Sequence, residues 1–331
     1  MNIQESVLRR VAMRALVRVA PEENARQQVD LLLEADLRGV PSHGLLRLPR
    51  VIDRIANGVT DPAATGRHEW LAEGYLDVDG GRGLGPVVAL SAVAALKDRV
   101  ARTGIAVAGV RNSNHIGMLG YYAEAAARDG LTMIALSTSE ALVHPWGGRR
   151  AMIGTNPIAI GVPVGAGEVF MMDTATGVVS MGEIYDHANR GQPIPDHWAL
   201  DAEGRPTTDA TAAKSGAIAP FGQAKGYALG LAFELLVTTL AQSAIGRAVQ
   251  GTLDDDRVCN KGDVFILIDG PAVDLRGYLE ELRAMPAVEG ANGVLIPGER
   301  GRACREDRLR SGVPVADEVW HRIVELAGGE E

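Results

Sequence analysis

Ser42-His43-Gly44 is followed closely by Arg47, so a hydroxyl, an imidazole and a fixed positive charge fall within one short segment. Histidine titrates nearest neutrality of all side chains, so it can take up and return a proton during turnover. Arginine stays charged and presents a planar fork that matches a carboxylate. On a helix, His43 and Arg47 would stand four residues apart on one face. That face would hold a 2-oxo or 2-hydroxy acid by its carboxylate while His43 reaches the oxygen. The same residues also suit a plainer arrangement, with Ser42 as a helix cap, His43 at a packing interface and Arg47 as a surface charge.

A second imidazole sits in Asn112-Ser113-Asn114-His115-Ile116-Gly117, between an expected strand and an expected helix. Loops held by a rigid sheet commonly carry function, and Gly117 with the helix after it would suit an anion. A turn whose Asn and Ser side chains satisfy their own backbone would leave His115 incidental. Gly154-Thr155-Asn156-Pro157 is a polar turn feeding an apolar strand, and Asp173-Thr174-Ala175-Thr176 closes another strand with a carboxylate. That acid could bond a sugar hydroxyl or merely cap a turn. Phe221-Gly222-Gln223-Ala224-Lys225-Gly226 places one of only four lysines at the head of an apolar helix. Glycines there let backbone approach a ligand closely, although the segment does not fit the phosphate-loop pattern and Lys225 could be an ordinary surface lysine. His68, His144, His187, His197 and His321 lack such settings and are taken as structural.

The elements that must position these groups follow from the apolar period. Val7, Val11, Leu16 and Val19, then Val29, Leu32, Leu33 and Leu37, then Val51, Ile52 and Ile55 repeat at helical spacing, so a helical lobe is expected over the first sixty or so residues. Strands are expected at Tyr75 to Asp79, Ile105 to Val110, Leu131 to Ser137, Pro157 to Val164, Val169 to Asp173, Val264 to Ile268 and Gly293 to Ile296. Helices are expected at Pro86 to Arg102 and Leu119 to Arg128. Several strands follow one another without a helix between, which predicts an α/β fold with a mixed, largely antiparallel sheet. The turn Gly80-Gly81-Arg82-Gly83-Leu84-Gly85 invites a dinucleotide fingerprint, but Pro86 falls where the third glycine is needed, and no carboxylate follows at Ile105 to Gly109. It is expected to be structural punctuation. Arg190 to Asp209, rich in Pro, Gly and Asp, is expected to be an exposed excursion.

Composition narrows the class further. At 331 residues and 46% hydrophobic, the chain can bury a large core in two or three lobes. A net charge of −9 leaves no basic face for nucleic acid. Cys259 and Cys304 are too few for a disulfide framework and lack metal-site spacing, so a reducing cytoplasm and no metal are expected. The amino-terminal stretch lacks a signal peptide's uninterrupted apolar run. Gly226 to Ala241 is apolar yet interrupted by Glu234 and short of a membrane span, so it is expected to be a buried core helix, with no membrane partner.

Taken in order, Ser42-His43-Gly44-x-x-Arg47, Asn112-Ser113-x-His115-x-Gly117, Gly154-Thr155-Asn156-Pro157, Asp173-x-Ala175-Thr176 and Gly222-x-x-Lys225-Gly226-Tyr227 resemble the type-2 malate/L-lactate dehydrogenase family. The family also includes ureidoglycolate and sulfolactate dehydrogenases, diketogulonate reductase and reductases of cyclic imino acids. Each motif is short, and the five in order carry the resemblance over nearly the whole chain, from residue 5 to about 300.

The resemblance implies a non-Rossmann NAD(P)-binding fold, a homodimer, and hydride transfer to or from a small carboxylic acid with NAD or NADP. It implies a helical lobe over 1–75 joined by 305–331, a substrate and dimerisation lobe over 76–118 with 262–304, and an NAD(P)-binding lobe over 119–261. By similarity, Ser42, His43 and Asp186 match a proton-relay set, Arg47 and Thr155 match substrate contacts, and His115 matches the acid/base histidine of the ureidoglycolate branch. Of the two imidazoles, His43 is the first choice as proton carrier, with His115 close behind. Cofactor positions are His115, Ile116, Gly117, Met118, Leu119, Ser139, Asp173, Thr174, Ala175, Lys225, Gly226, Gly298, Glu299 and Arg300. Two positions depart from the pattern. Val51 replaces a tyrosine near the substrate, and Met181 replaces an arginine that helps hold the ring acid in cyclic-imine reductases. The second departure favours an open-chain 2-hydroxy acid of the malate, lactate or sulfolactate kind. Reduction of piperideine- or pyrroline-2-carboxylate is the alternative, and a catalytically silent binding protein a weaker one.

Overall fold

In the computed structural model, which describes residues 1–329, the apolar runs pair into one seven-stranded mixed sheet. In space the strands run Arg67–Ala72, Tyr75–Gly83, Ile105–Ser113, Asp263–Ile268, Thr132–Ser137, Ile158–Gly165 and Glu168–Thr174. Only Tyr75–Gly83 and Ile105–Ser113 lie parallel, joined by the crossover helix Gly85–Thr103. All other neighbours are antiparallel. The sheet therefore has the mixed, largely antiparallel character that successive strands without helices require.

Both faces of the sheet are covered. On one side Gly85–Thr103 and Leu119–Arg128 bury Leu96, Tyr122 and Ala126 against Ala108, Met133 and Phe265. On the other side the helix Ala224–Ala241 sets Val237 and Ala241 against Leu136 and Val264. A separate helical cluster packs Glu5–Leu16 and Glu22–Leu37 against Trp320 and Ile323 of the helix Asp317–Leu326. Asn2–Ile3 pairs with Val313–Pro314, tying the two ends of the chain into this cluster.

Four expectations from the sequence change. Gly293 to Ile296 forms no strand: Gly293 has φ 111°, and the Ile296 N–H is taken by the Glu299 carboxylate at 2.9 Å, which serves the following helix instead of a ladder. Arg67–Ala72 is an unforeseen strand; as a sheet edge carrying Arg67, His68 and Glu69 it shows little apolar alternation. Part of the Arg190 to Asp209 excursion folds back, because Ile194 and Ala199 are buried in a cluster with Val143 and Ile153. The helix Ala224–Ala241 is long and apolar enough to cross a membrane by length and composition. It is not a buried core helix in the single chain: one face packs on the sheet while Leu229, Leu235 and Leu236 are 41%, 50% and 42% exposed.

Candidate active site

The segment expected as one helical face is two 3₁₀ turns, Pro41–His43 and Leu45–Arg47, broken at an extended Gly44. Asp36, buried in the helix Glu22–Leu37, fixes the break by accepting the Leu45 N–H at 2.7 Å. Burial pushes the Asp36 carboxyl up to about 6 against the opposing pull of that N–H. His43 and Arg47 thus share a side through a pinned double turn. The Arg47 Nε donates to the Ser42 carbonyl at 2.6 Å, and the outer fork of its guanidinium has no hydrogen-bond partner among the described residues. Ser42 Oγ and His43 Nδ1 lie 2.9 Å apart.

His115 arrives from the far end of Ile105–Ser113, and its ring centroid stands 5.3 Å from that of His43 at an interplanar angle of 35°. Three neighbours hold it there. Asn114 donates to the carbonyls of Arg82 and Gly83 at 2.8 Å each, while its own carbonyl accepts from Arg54 Nε and Thr60 Oγ1 at 3.0 Å each. Gly85, the last of the glycine run, lets the helix start abut this loop, since a Cβ there would lie 2.2 Å from the His115 carbonyl oxygen. The run expected as punctuation is therefore a close-packing seam under His115. Gly117 adopts φ 72°, a left-handed conformation costly to other residues. Its N–H donates to His115 Nδ1 at 3.1 Å.

Burial, reinforced by the Arg47 charge, pushes His43 down to about 3. Burial also holds His115 well below its ordinary range, with Arg47, His43 and Lys261 adding to the effect. Both rings are therefore neutral at pH 7 beside a charged guanidinium. Each keeps an edge open: His43, His115 and Arg47 are half-buried. Arg47, Arg50, Arg54, Asn114, His115 and Thr252 line one recess, with Val51 as an apolar patch of its wall.

The remaining expected residues collect around the end of the strand Glu168–Thr174. Asp173 accepts the Gly120 N–H at 2.7 Å, at the start of the helix that carries Leu119. Ile116 and Met118, in the segment that leads into that helix, are buried. Desolvation raises the Asp173 carboxyl, and Gly120 counters it; the side chain still reaches solvent, which tempers the rise. Gly298, capping the helix Glu299–Ser311, packs on Met171 of the same strand, and Arg300 follows in its first turn. Ser139 Oγ accepts the Thr155 N–H at 2.9 Å, and the Thr155 carbonyl accepts from Thr176, two residues beyond Thr174. Ala175 lies between. Lys225 is exposed near Gly226, with no protein acceptor for its ammonium among the described residues. A carboxylate with one oxygen uncommitted, an unpaired ammonium and a helix start suit the hydroxyls and phosphates of a dinucleotide.

Two expected residues stand apart from the imidazoles. Asp186 pairs with Arg190 at 3.1 Å on the helix Met181–Asn189, although Gly182 of that helix lies against Ser42. Thr155 bonds Ser139 and makes no hydrogen bond to Arg47 among the described residues. Three residues that shape the site were not singled out from sequence. Asp36 and Arg54 read as ordinary polar residues of amphipathic helices. Glu234 reads in the sequence only as an interruption of an apolar helix, yet it is buried and accepts from Gly154 N at 3.0 Å and from Asn156 Nδ2 and Gly246 N at 2.6 Å each. Its one sequence signal was a lone acid within an apolar helix.

The profile of the malate/L-lactate dehydrogenase family matches residues 3–324. The chain belongs to that family. It is 35% identical over 311 residues to the L-sulfolactate dehydrogenase of Methanothermobacter thermautotrophicus, covering 93% of this chain and 90% of that one. It is 34% identical over 301 residues to the Delta(1)-pyrroline-2-carboxylate reductase of Pseudomonas fluorescens, covering 89% of each. Among solved structures, a dehydrogenase from Sinorhizobium meliloti superposes with a TM-score of 0.95 at 49% identity, over 99% of this chain and 98% of that one. As a family member the protein is an oxidoreductase working with a nicotinamide cofactor.

Proposed function

We propose that this malate/L-lactate dehydrogenase family member interconverts a small 2-hydroxy acid and its 2-oxo acid with NAD or NADP, with His43 moving the proton. One observation carries the proposal: Arg47 and His115 line the same recess, and the His43 ring stands 5.3 Å from that of His115. The free fork of Arg47 takes the substrate carboxylate. The hydrogen-bond partners divide labour between the imidazoles. Because the Gly117 N–H occupies the Nδ1 lone pair, a neutral His115 carries its hydrogen on Nε2 and serves as a fixed donor to the substrate oxygen. His43 faces a hydroxyl that can donate or accept, so its ring is accommodated both neutral and protonated. His43 is therefore the better proton carrier. Ser42 orients it, and Asp186 joins the relay by exchanging Arg190 for the imidazole.

A bound nicotinamide supplies or accepts the hydride. Asp173 with Thr174 and Ala175, Lys225 with Gly226, Ser139, the segment His115 to Leu119, and Gly298, Glu299 and Arg300 are assigned to hold it, with Thr155 between this group and the substrate. The lobes are assigned as 1–75 with 305–331, 76–118 with 262–304, and 119–261. The protein works in the cytoplasm as a homodimer, supported by the apolar face of Leu229, Leu235 and Leu236, which a second copy would cover. Met181, at the position of an arginine in cyclic-imine reductases, favours the open-chain acid. The test is to supply oxidised cofactor with malate, lactate and sulfolactate, and reduced cofactor with piperideine-2-carboxylate. Reduction of the cofactor by a hydroxy acid is expected; activity confined to the cyclic imine would overturn the assignment.

A further inference from the structure

The loop over residues 249–257 walls two cavities. Gly251 and Thr252 belong to the recess that Arg47 and His115 line. Val249, Gln250, Asp254 and Arg257 line a second cavity, of about 600 Å³. Three more arginines, Arg149, Arg150 and Arg247, complete the positive part of its wall.

These four arginines come from three segments whose backbone is fixed. Gly204 abuts Arg149 so closely that a Cβ there would lie 2.5 Å from the Arg149 Cβ. The buried Glu234 accepts the Gly246 N–H at 2.6 Å, which sets the turn Gly246–Ala248 that presents Arg247. Arg54, from the wall of the recess, donates to the Arg257 carbonyl at 3.0 Å. The four side chains are nevertheless exposed. Arg149 donates to the Glu203 carbonyl at 2.7 Å, whereas Arg150, Arg247 and Arg257 make no side-chain hydrogen bond or ion pair among the described residues.

Three carboxylates share the wall, and each already has partners. Glu140 Oε1 accepts the Thr252 N–H at 2.8 Å and the Thr252 hydroxyl and Leu253 N–H at 3.0 Å each. Asp201 accepts from the Arg205 N–H and Nε at 2.9 Å each. Asp254 lies 3.6 Å from Arg54 Nη1. The guanidinium forks match oxyanions, and among the described residues no aromatic ring lines the cavity for a base to stack on.

We infer that this cavity is a second anion-binding site, which takes a compact multivalent oxyanion, a polyphosphate or a polycarboxylate, and that its occupant acts on the recess through the shared loop. The route is a short chain of hydrogen bonds. Arg54 grips the Asp254 and Arg257 carbonyls and donates to Asn114 Oδ1 at 3.0 Å, next to His115. An anion that draws in Arg257 therefore pulls on the same guanidinium that steadies Asn114. Linkage makes the effect mutual: each ligand changes the affinity of the other by the same factor.

The test is calorimetric titration of the full chain with pyrophosphate and with citrate, in the wild type and in Arg150→Gln/Arg247→Gln. Saturating cofactor keeps the anions off the rim around Asp173 and Lys225. At least one anion should bind the wild type with a Kd below about 1 mM, and the tighter of the two identifies the class as phosphate or carboxylate. The double variant should bind it about 10- to 100-fold more weakly, as loss of hydrogen bonds to a charged group predicts. Its thermal unfolding, and its kcat without anion, should match the wild type, because both side chains are exposed and stand outside the recess. Saturating anion should also shift the KM of whichever acid the enzyme turns over, in the wild type and not in the double variant. Failure of both anions to bind, or equal binding by the two proteins, which would mark an adventitious ion only, overturns the inference. A KM that the anion leaves unmoved, or moves equally in both proteins, overturns it as well.

Discussion

The recess lined by Arg47 and His115, with His43 beside it, and the rim around Asp173 and Lys225 are built in opposite ways. In the recess the backbone that carries the imidazoles is pinned: the Asn114 side chain makes four hydrogen bonds, Asp36 holds the double turn, and the Gly117 N–H engages His115. At the rim Lys225 has no partner among the described residues, and Thr174 is exposed. The proton transfer proposed for the recess would need its groups held to within a fraction of an ångström, which such a pinned backbone suits. A cofactor bound at the rim, as proposed, would bind and leave each cycle and would itself supply the partners of these groups. Damage to the recess should therefore appear in the chemistry or in folding, and damage to the rim in cofactor affinity.

Apart from loss of the proposed proton carrier itself, the largest effect should follow removal of the guanidinium that faces the imidazoles. Arg47→Ala should lower kcat/KM for substrate about 100- to 1000-fold, as loss of a bidentate charged contact in a half-buried site predicts, while cofactor affinity measured by fluorescence titration holds. If cofactor affinity fell instead, the two regions would not be divided as described. Gly117→Ala should come next. Its Cβ would lie 1.9 Å from Leu31 at φ 72°, so thermal unfolding should show a loss of about 2 to 4 kcal/mol. A variant as stable as the wild type would mean that this seam yields easily.

Asp36→Asn sharpens the contrast through pH. The folded carboxyl, at about 6, binds its proton more tightly than the unfolded one at 3.8, so its favourable contribution is full below pH 4 and lost as pH rises through 6. Asparagine keeps an acceptor for Leu45 without that penalty. The variant should gain about 2 to 3 kcal/mol over the wild type at pH 8 and little at pH 4, measured by denaturant unfolding. Equal gains at both pH values would remove the titration from the account. The smallest effect belongs to the rim: Lys225→Ala should raise the cofactor KM about tenfold with kcat nearly unchanged, as loss of one exposed charged contact implies.

Much of the sheet was legible because short apolar runs such as Ile105 to Val110 and Val264 to Ile268 carry their own signal. The edge strand Arg67–Ala72 was not, since an edge buries too little to impose a pattern. The imidazoles and Arg47 stood out by residue type, but the geometry joining them did not. It depends on Asp36 breaking a helix at Gly44 and on Gly85 and Gly117 admitting close neighbours, and such contacts between distant segments leave no local spacing to read. The helix Ala224–Ala241 shows the reverse limit, because its apolar character was plain while nothing local marked Leu229, Leu235 and Leu236 as the side left exposed.

His43→Ala, assayed with and without added imidazole, tests the central claim most directly. Turnover should fall about 10²- to 10⁴-fold, cofactor should bind as before, and free imidazole should restore part of the rate at the vacated position. Turnover equal to the wild type would contradict the assignment and transfer the proton to His115.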